Sequence, residues 1–281
     1  MGTVRIVTDS TADLPRELAE QYGVVVVPLK VLFGQEVFRD GVDLDAAAFY
    51  SRLKKSPVMP TTSQPAPGEF VAVYEQLTRK GDSVISIHIS SALSGTFHSA
   101  QLAKTMVDSK DIFVIDSRSV SMGLGLIVIA AAKAAREGRT RKEILTLIND
   151  LIDKIKVLFV VDSLEYLERG GRIGKASALV GSLLNIKPIL ALQDGLVTPL
   201  EKVRGKSRAL DRLVELAGAS YGPGRRLVSS IVHSDDYSSL MKLRDKIKVS
   251  LKSPENIISE LGPVVGTHVG PGTVGIVVYP A

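Results

Sequence analysis

The chain contains no cysteine and no tryptophan. The first absence excludes disulfides, zinc–thiolate centres and thiol nucleophiles, and it is compatible with a reducing compartment. Aromatic residues make up only 5% of the 281 positions. No long run of consecutive basic residues occurs either, so the sequence carries no footprint of a nucleic-acid partner. Long apolar runs are also missing. The longest apolar helix candidate, Leu124 to Ala135, is too short to span a bilayer and contains Lys133. The stretch from Met1 to Asp9 lacks the apolar core of a signal peptide. A protein without a transmembrane segment, cytoplasmic in location, is expected.

Catalytic signatures are missing as well. Gly170-Gly171-Arg172-Ile173-Gly174-Lys175-Ala176-Ser177 comes nearest to a P-loop and fails. Position 169 is Arg where the first glycine belongs, and Lys175 is followed by Ala176. Gly270, Gly272 and Gly275 precede a strand instead of opening a helix, so they form no dinucleotide fingerprint. The four histidines, His88, His98, His233 and His268, make no His-x-x-x-His pair, and no metal site is expected. Gly-x-Ser-x-Gly is absent, since Ser94 lies in Ala92-Leu93-Ser94-Gly95. A triad assembled from distant residues stays open as an alternative, with Ser94 as its nucleophile.

What is present is a well-patterned α/β chain, 45% hydrophobic. Apolar runs at Val4–Thr8, Val24–Leu29 (running on towards Phe33), Val84–His88 and Ile112–Ile115 predict strands. Asp43–Leu53, Pro67–Leu77 and Met122–Glu137 predict helices, the last apolar on nearly all sides and therefore buried. Thr140-Arg141-Lys142-Glu143 is a capping box that opens an amphipathic helix to about Lys154. This alternation argues a mostly parallel sheet flanked by helices. After Val157–Val161 the rhythm changes. Short helices are expected at Leu164–Leu167 and Ser177–Leu184, then a hairpin turning on Asp194-Gly195. Helices over Ser207–Ala217 and Ser238–Leu251 and strands at Leu227–His233, Asn256–Leu261, Val264–Thr267 and Thr273–Val278 complete a mixed or antiparallel sheet. Two domains follow, residues 1–155 and 156–281, without a Pro/Gly/Ser linker.

The net charge of +5 is uneven. Residues 1–150 hold 17 basic and 17 acidic side chains, and residues 151–281 hold 18 and 13. The densest basic part includes Arg169, Arg172, Lys175, Lys202, Arg204 and Lys206. It reads either as a solvated face or as a docking surface for an acidic partner or a phosphate. Three polar loops stand out: Pro60–Pro65 with its hydroxyls between prolines, Ser90–Thr96 between a strand and a helix, and Gly266–Thr273 with His268. Ser90–Thr96 opens a helix, whose free N–H groups suit an anion, although Ser and Asp at such places also act as plain caps. From the residues alone the reading stops at an anion-tipped ligand between two domains.

In this order and combination the motifs resemble the DegV family of bacterial fatty-acid-binding proteins. The resemblance runs almost end to end. It rests on Thr8–Pro15, Thr62-Ser63-Gln64-Pro65, Ser90–Thr96, Asp116-Ser117, Tyr166–Ile173, Asn185–Ile189, Lys202–Gly205 and His268–Gly275. Phe97 stands where many relatives have Tyr. The resemblance implies a DegV-like two-domain fold with one long-chain fatty acid buried between the domains. It implies a carboxylate held by Thr62 and Ser94 with His268 close by, and Ser63 and Gly95 beside them in the ligand set. It implies that Arg172 and Arg204 lie near the head group or at a partner surface. The partner implied is a fatty acid kinase subunit, which phosphorylates the presented carboxylate to an acyl phosphate for phospholipid synthesis. Phosphoryl transfer needs a nucleotide and Mg²⁺ site that has no motif here. The expectation is therefore a carrier that is not an enzyme and needs no cofactor beyond its bound lipid. The alternatives are an acyl-ester hydrolase using Ser94 and a lipid-dependent regulatory or interaction protein.

Overall fold

The computed structural model describes residues 3–79, 81–179, 186–222, 225–250 and 256–281. Two sheets carry the architecture. In the first, β1 (Val4–Asp9), β2 (Val25–Val27), β6 (Ser83–His88) and β7 (Ile112–Asp116) stand in the order β2-β1-β6-β7, all parallel. In the second, β8 (Lys156–Val160), β9 (Ile186–Gln193), β10 (Leu196–Arg204), β11 (Leu227–His233), β12 (Asn256–Glu260) and β13 (Val274–Pro280) stand in the order β10-β9-β8-β13-β11-β12. Every pairing there is antiparallel except β11 with β12. The hairpin between β9 and β10 turns on Asp194 and Gly195, both at positive φ (52° and 76°), as a two-residue loop between twisted strands requires.

The helix α5 (Met122–Arg136) lies between the two sheets. Leu124, Ile127, Val128 and Ala131 join the core of the parallel sheet with Ile6, Ile85 and Ile87. Met122, Leu126 and Ile129 join the core on one face of the six-stranded sheet with Phe159, Val232 and Val277. A helix packed on both sides needs apolar residues all round, which is why its sequence shows almost no polar face. The capping box at Thr140 and Glu143 opens α6 (Arg141–Lys154), with the Thr140 N–H donating to Glu143 Oε2 at 2.8 Å. The other face of the six-stranded sheet is covered by α8 (Lys206–Ala219) and α9 (Tyr237–Ser250).

Four sequence expectations need correction. Val24–Phe33 is not one strand. It divides at Pro28, whose missing N–H breaks the ladder, and β3 (Lys30–Phe33) leaves for a separate three-stranded sheet with β4 (Glu36–Arg39) and β5 (Thr61–Ser63). The Pro60–Pro65 stretch is therefore not a loop. Its centre is β5, a short edge strand with prolines outside it, where they cost no ladder bond.

The third correction concerns Val264–Thr267. This stretch is helical, within α10 (Pro263–Val269). Its β-branched residues favour a strand, but Pro263 occupies the first turn and Gly262 the N-cap. Six of its seven residues are buried, so no amphipathic period marks the helix. Its N-terminal N–H groups are met by carboxyls from the first half of the chain. Asp13 Oδ1 accepts from the Gly262 N–H at 3.0 Å, and the Asp40 carboxylate, held by the Ser10 hydroxyl at 2.8 Å, lies near the Val264 N–H. Tyr50 Oη donates to the Leu261 carbonyl at 2.9 Å. Burial pushes the Asp13 carboxyl well up and the Asp40 carboxyl up to about 6. The expected short helix at 177–184 is a 3-10 turn over Gly174–Leu179, and positions 180–184, like Asn185, lie outside the described residues.

Candidate functional site

A cavity of about 320 Å³ lies between the two sheets, at the low end of the range of about 300–1,000 Å³ usual for small-molecule sites. Its floor is the α5-facing side of the six-stranded sheet, where Val232, Gly275 and Phe159 form a row across β11, β13 and β8. Its roof comes from the segments that follow the parallel strands: Thr11 after β1, Ile89 and Leu93 after β6, Val120 and Ser121 after β7. Ligands of open parallel sheets bind at these carboxyl ends. Most of the remaining wall is aliphatic, and the polar lining includes a group drawn from four separate parts of the chain.

That group contains Thr62, Ser63, Gln64, Ser94, Arg172 and His268. Thr62 projects from β5, and its Oγ1 lies 2.9 Å from His268 Nε2 on α10. Burial, and then the nearby Arg172 guanidinium, hold the imidazole well down, to about 4. The ring is therefore neutral at pH 7. His268 Nδ1 is buried without a hydrogen-bond partner. An orphaned lone pair costs less than an orphaned N–H, so the hydrogen-bond network assigns the proton to Nε2. His268 then donates to Thr62, and the Thr62 hydroxyl proton is free for an acceptor in the cavity. The imidazole reaches this place because residue 170 is glycine. A Cβ there would fall far inside contact with His268 Nδ1 and 3.1 Å from Cε1.

Ser94 sits just before α4 (Thr96–Met106). Its Oγ lies 2.8 Å from Thr96 Oγ1 and accepts from the Thr96 N–H at 3.3 Å. Gln64 crosses the same helix start and donates to Ser99 Oγ at 2.9 Å, running through the space that a side chain at Gly95 would fill. Arg172 follows α7 (Glu165–Arg169). It donates through Nε to the Leu93 carbonyl at 3.0 Å and through Nη1 to the Gly170 carbonyl at 2.7 Å. Its cation thus borders the cavity while two of its donors fasten the loop bearing Ser94 to the turn after α7.

Thr62, Ser63, Ser94, Arg172 and His268 share one cavity, and Gly95 adjoins it through Gln64. Arg204 is apart from them, exposed at the end of β10 and not among the lining residues. Sequence reasoning missed Gly170 as the neighbour of His268 and missed the floor residues Phe159, Val232 and Gly275. The Gly170-Gly171 pair was visible, but its spatial neighbour lies 98 positions further on. No hydrogen bond joins Ser94 to His268. The connectivity of a Ser–His–Asp relay occurs elsewhere: Ser86 Oγ lies 2.7 Å from His88 Nε2, and His88 Nδ1 lies 2.9 Å from Asp9 Oδ2. All three are fully buried, Tyr74 Oη donates to Ser86 Oγ at 2.8 Å, and none of the three lines the cavity. Among the described residues no group of three or more His, Asp or Glu is placed to hold a metal ion. Nor is any described helix long and apolar enough to cross a membrane.

Residues 3–281 match the profile of a family described as "Uncharacterised protein, DegV family". The chain is 38% identical over 274 residues to Protein DegV of Bacillus subtilis, covering 97% of this chain and 98% of the relative. Its structure is similar to that of a DegV family protein from Thermus thermophilus whose fatty acid binding is described. That likeness has a TM-score of 0.95 and 36% identity, and covers 99% of this chain and 100% of the other. It is also similar to the crystal structure of DegV from Bacillus subtilis, described as a fatty acid binding protein. The TM-score is 0.91 with 36% identity, over the full length of both chains.

Proposed function

This chain belongs to the DegV family, and we propose from that premise that it binds one long-chain fatty acid in the cavity between its sheets and presents the carboxylate to a partner kinase. The observation that carries the reading is a cavity that is aliphatic over most of its wall and brings Thr62, Ser94, Arg172 and His268 together. In this reading residues 1–155 form a domain that carries the head-group segments, and residues 156–281 form a domain that covers the acyl chain. The start of β8 at Lys156 supports the division. His268 borders the head group from the second domain.

The energetics suit a carrier. An acyl chain of about 16 carbons buries roughly 15 methylenes, on the order of 12 kcal/mol gross at ~0.8 each. Ordering the chain and losing its free motion take back a large share. The tail supplies affinity and the head supplies orientation. The carboxylate accepts from the Thr62 and Ser94 hydroxyls, while Arg172, with donors already committed to two carbonyls, supplies a nearby positive charge. A carboxylate held mainly by neutral hydroxyls stays available to attack a phosphoryl group delivered by an ATP-dependent kinase. Arg204, exposed and outside the cavity, belongs to the docking face for that kinase.

Solvent extraction of the purified protein followed by mass spectrometry tests the binding. A co-purifying or exchangeable fatty acid is expected, and its absence overturns the reading. Ser94→Ala is expected to weaken binding; turnover of an acyl ester that this change abolishes would instead establish the hydrolase alternative. Arg204→Glu is expected to weaken acyl phosphate formation by the kinase while fatty acid binding stays. Unchanged formation removes Arg204 from the docking face.

A further inference from the structure

The six-stranded sheet lays its side chains beneath the cavity in transverse rows. Val277 on β13 pairs with Val157 on β8, and Leu192 on β9 pairs with Val197 on β10. β8 pairs with β9 through Leu158↔Ala191, Phe159↔Leu190 and Val160↔Ile189. One step further along that register sets Leu192 beside Val157. All four side chains line the cavity, so they form one aliphatic row across four strands. The neighbouring row is Val232, Gly275 and Phe159, with a glycine at its centre. A Cβ at Gly275 would lie 3.0 Å from Val232 Cγ2 and 3.2 Å from Phe159 Cβ, so the glycine lets the two flanking side chains close over the strand between them.

The direction of the cavity follows from these rows. β8 runs from Val157 through Phe159 and leads into α7, Gly170 and Arg172, at the head-group end. Val157 is two residues, or about 7 Å, further from that end than Phe159. β13 agrees: Thr273, just before it, follows the turn after α10, and Val277 lies deep in the strand. The row of Val157 and Leu192 is the far end.

A second cavity, of about 540 Å³, lies directly behind it. Its lining includes Arg118, Ser119, Asp153 and Lys156, and it is bounded by the β9–β10 turn. Among the described residues, those common to both cavities are Val157 and Leu192. Two half-buried aliphatic side chains thus separate a mainly aliphatic channel from a mixed, largely polar compartment.

We propose that Val157 and Leu192 form the stop that sets the longest acyl chain this protein accepts. The inference rests on the fatty-acid reading and adds a specificity role to two residues remote from the head group. A methyl end that reaches the row has filled the apolar channel. A longer chain must displace the two side chains and enter a compartment lined by charged groups, where its methylenes gain little.

The test is an affinity series with saturated fatty acids of about 12 to 22 carbons, on wild type and on Val157→Ala, Leu192→Ala, their combination, and Leu192→Phe. Each methylene newly buried is worth about four-fold in affinity, the equivalent of ~0.8 kcal/mol. The length at which affinity stops rising is expected to move up by about two carbons in the double variant. Affinity for the acid two carbons beyond the wild-type limit then rises by roughly ten-fold. Leu192→Phe is expected to move the limit the other way, so the proposal does not depend on any one variant folding. Identical limits in wild type and in every variant that binds overturn the stop and leave the fatty-acid reading intact. Failure of wild type to bind any member of the series overturns that reading, and the stop with it.

Discussion

Replacing Gly170 by alanine tests the head-group arrangement with a single methyl group. Gly170 has φ −75° and ψ −8°, an ordinary right-handed conformation that alanine adopts without strain. The backbone effect of the change is therefore small, about 0.4–1 kcal/mol and stabilising if anything. The steric effect is not small. The added Cβ would stand 3.0 Å from the Tyr166 carbonyl and well inside contact with His268 Nδ1. An ordinary separation of about 3.5 Å requires the imidazole to retreat by on the order of 1 Å. The Thr62–His268 hydrogen bond, now 2.9 Å, then lengthens to roughly 4 Å and is lost. Thr62 loses the donor that turns its proton towards the ligand. A hydrogen bond to a charged group is worth about 1.5–3 kcal/mol, so fatty acid affinity should fall roughly 10- to 100-fold with little change in melting temperature. Displacement of a fluorescent fatty acid measures this for Gly170→Ala, Thr62→Ala and the double variant. If both changes act through one contact, the double variant costs no more than the worse single one. Wild-type affinity in Gly170→Ala, or full additivity with Thr62→Ala, refutes the argument.

Two further expectations concern protons. In the ligand-free protein the His268 imidazole should titrate near 4 by NMR, and a bound carboxylate should move it upward. The folded value lies below the unfolded value of about 6.5. Its stability contribution is therefore complete above pH 6.5 and lost as pH falls towards 4, by up to ~3 kcal/mol relative to His268→Gln. Asp40 has the opposite sign. Its carboxyl is raised to about 6 by burial, so its contribution is present below about pH 4 and lost as pH rises through 6. Asp40→Asn should gain on wild type by about 2 kcal/mol between pH 4 and pH 7 in denaturant unfolding. A constant difference between the two would show that Asp40 ionises freely beneath α10.

Much of the architecture was legible because each strand or helix announces itself locally. The parallel strands β1, β6 and β7 are apolar runs ending in polar residues, the Asp194-Gly195 turn marks its hairpin, and the Thr140 capping box marks α6. What failed was short and buried on all faces. Seven residues of α10 span barely two turns, and their β-branched side chains argue for a strand. Only the carboxyls of Asp13 and Asp40 at its start and the packing around it make it a helix. β5 was hidden for a related reason: three hydroxyl residues between prolines carry no strand pattern until β3 pairs with them.

By itself the sequence determined the chemical class of the site. It excluded thiols and sequence-local metal or nucleotide motifs, and it supplied hydroxyls, glycines and one histidine in segments whose combined order resembles a single family. Tertiary structure alone decided which of those groups meet. Thr62 and His268 are 206 positions apart, and their contact exists only because β5 and α10 pack together across the chain. The neutrality of His268 was not legible either, because it arises from burial and from Arg172, both products of packing. The same holds for the far end of the cavity, where strand register alone sets Val157, Leu192, Val197 and Val277 in one row.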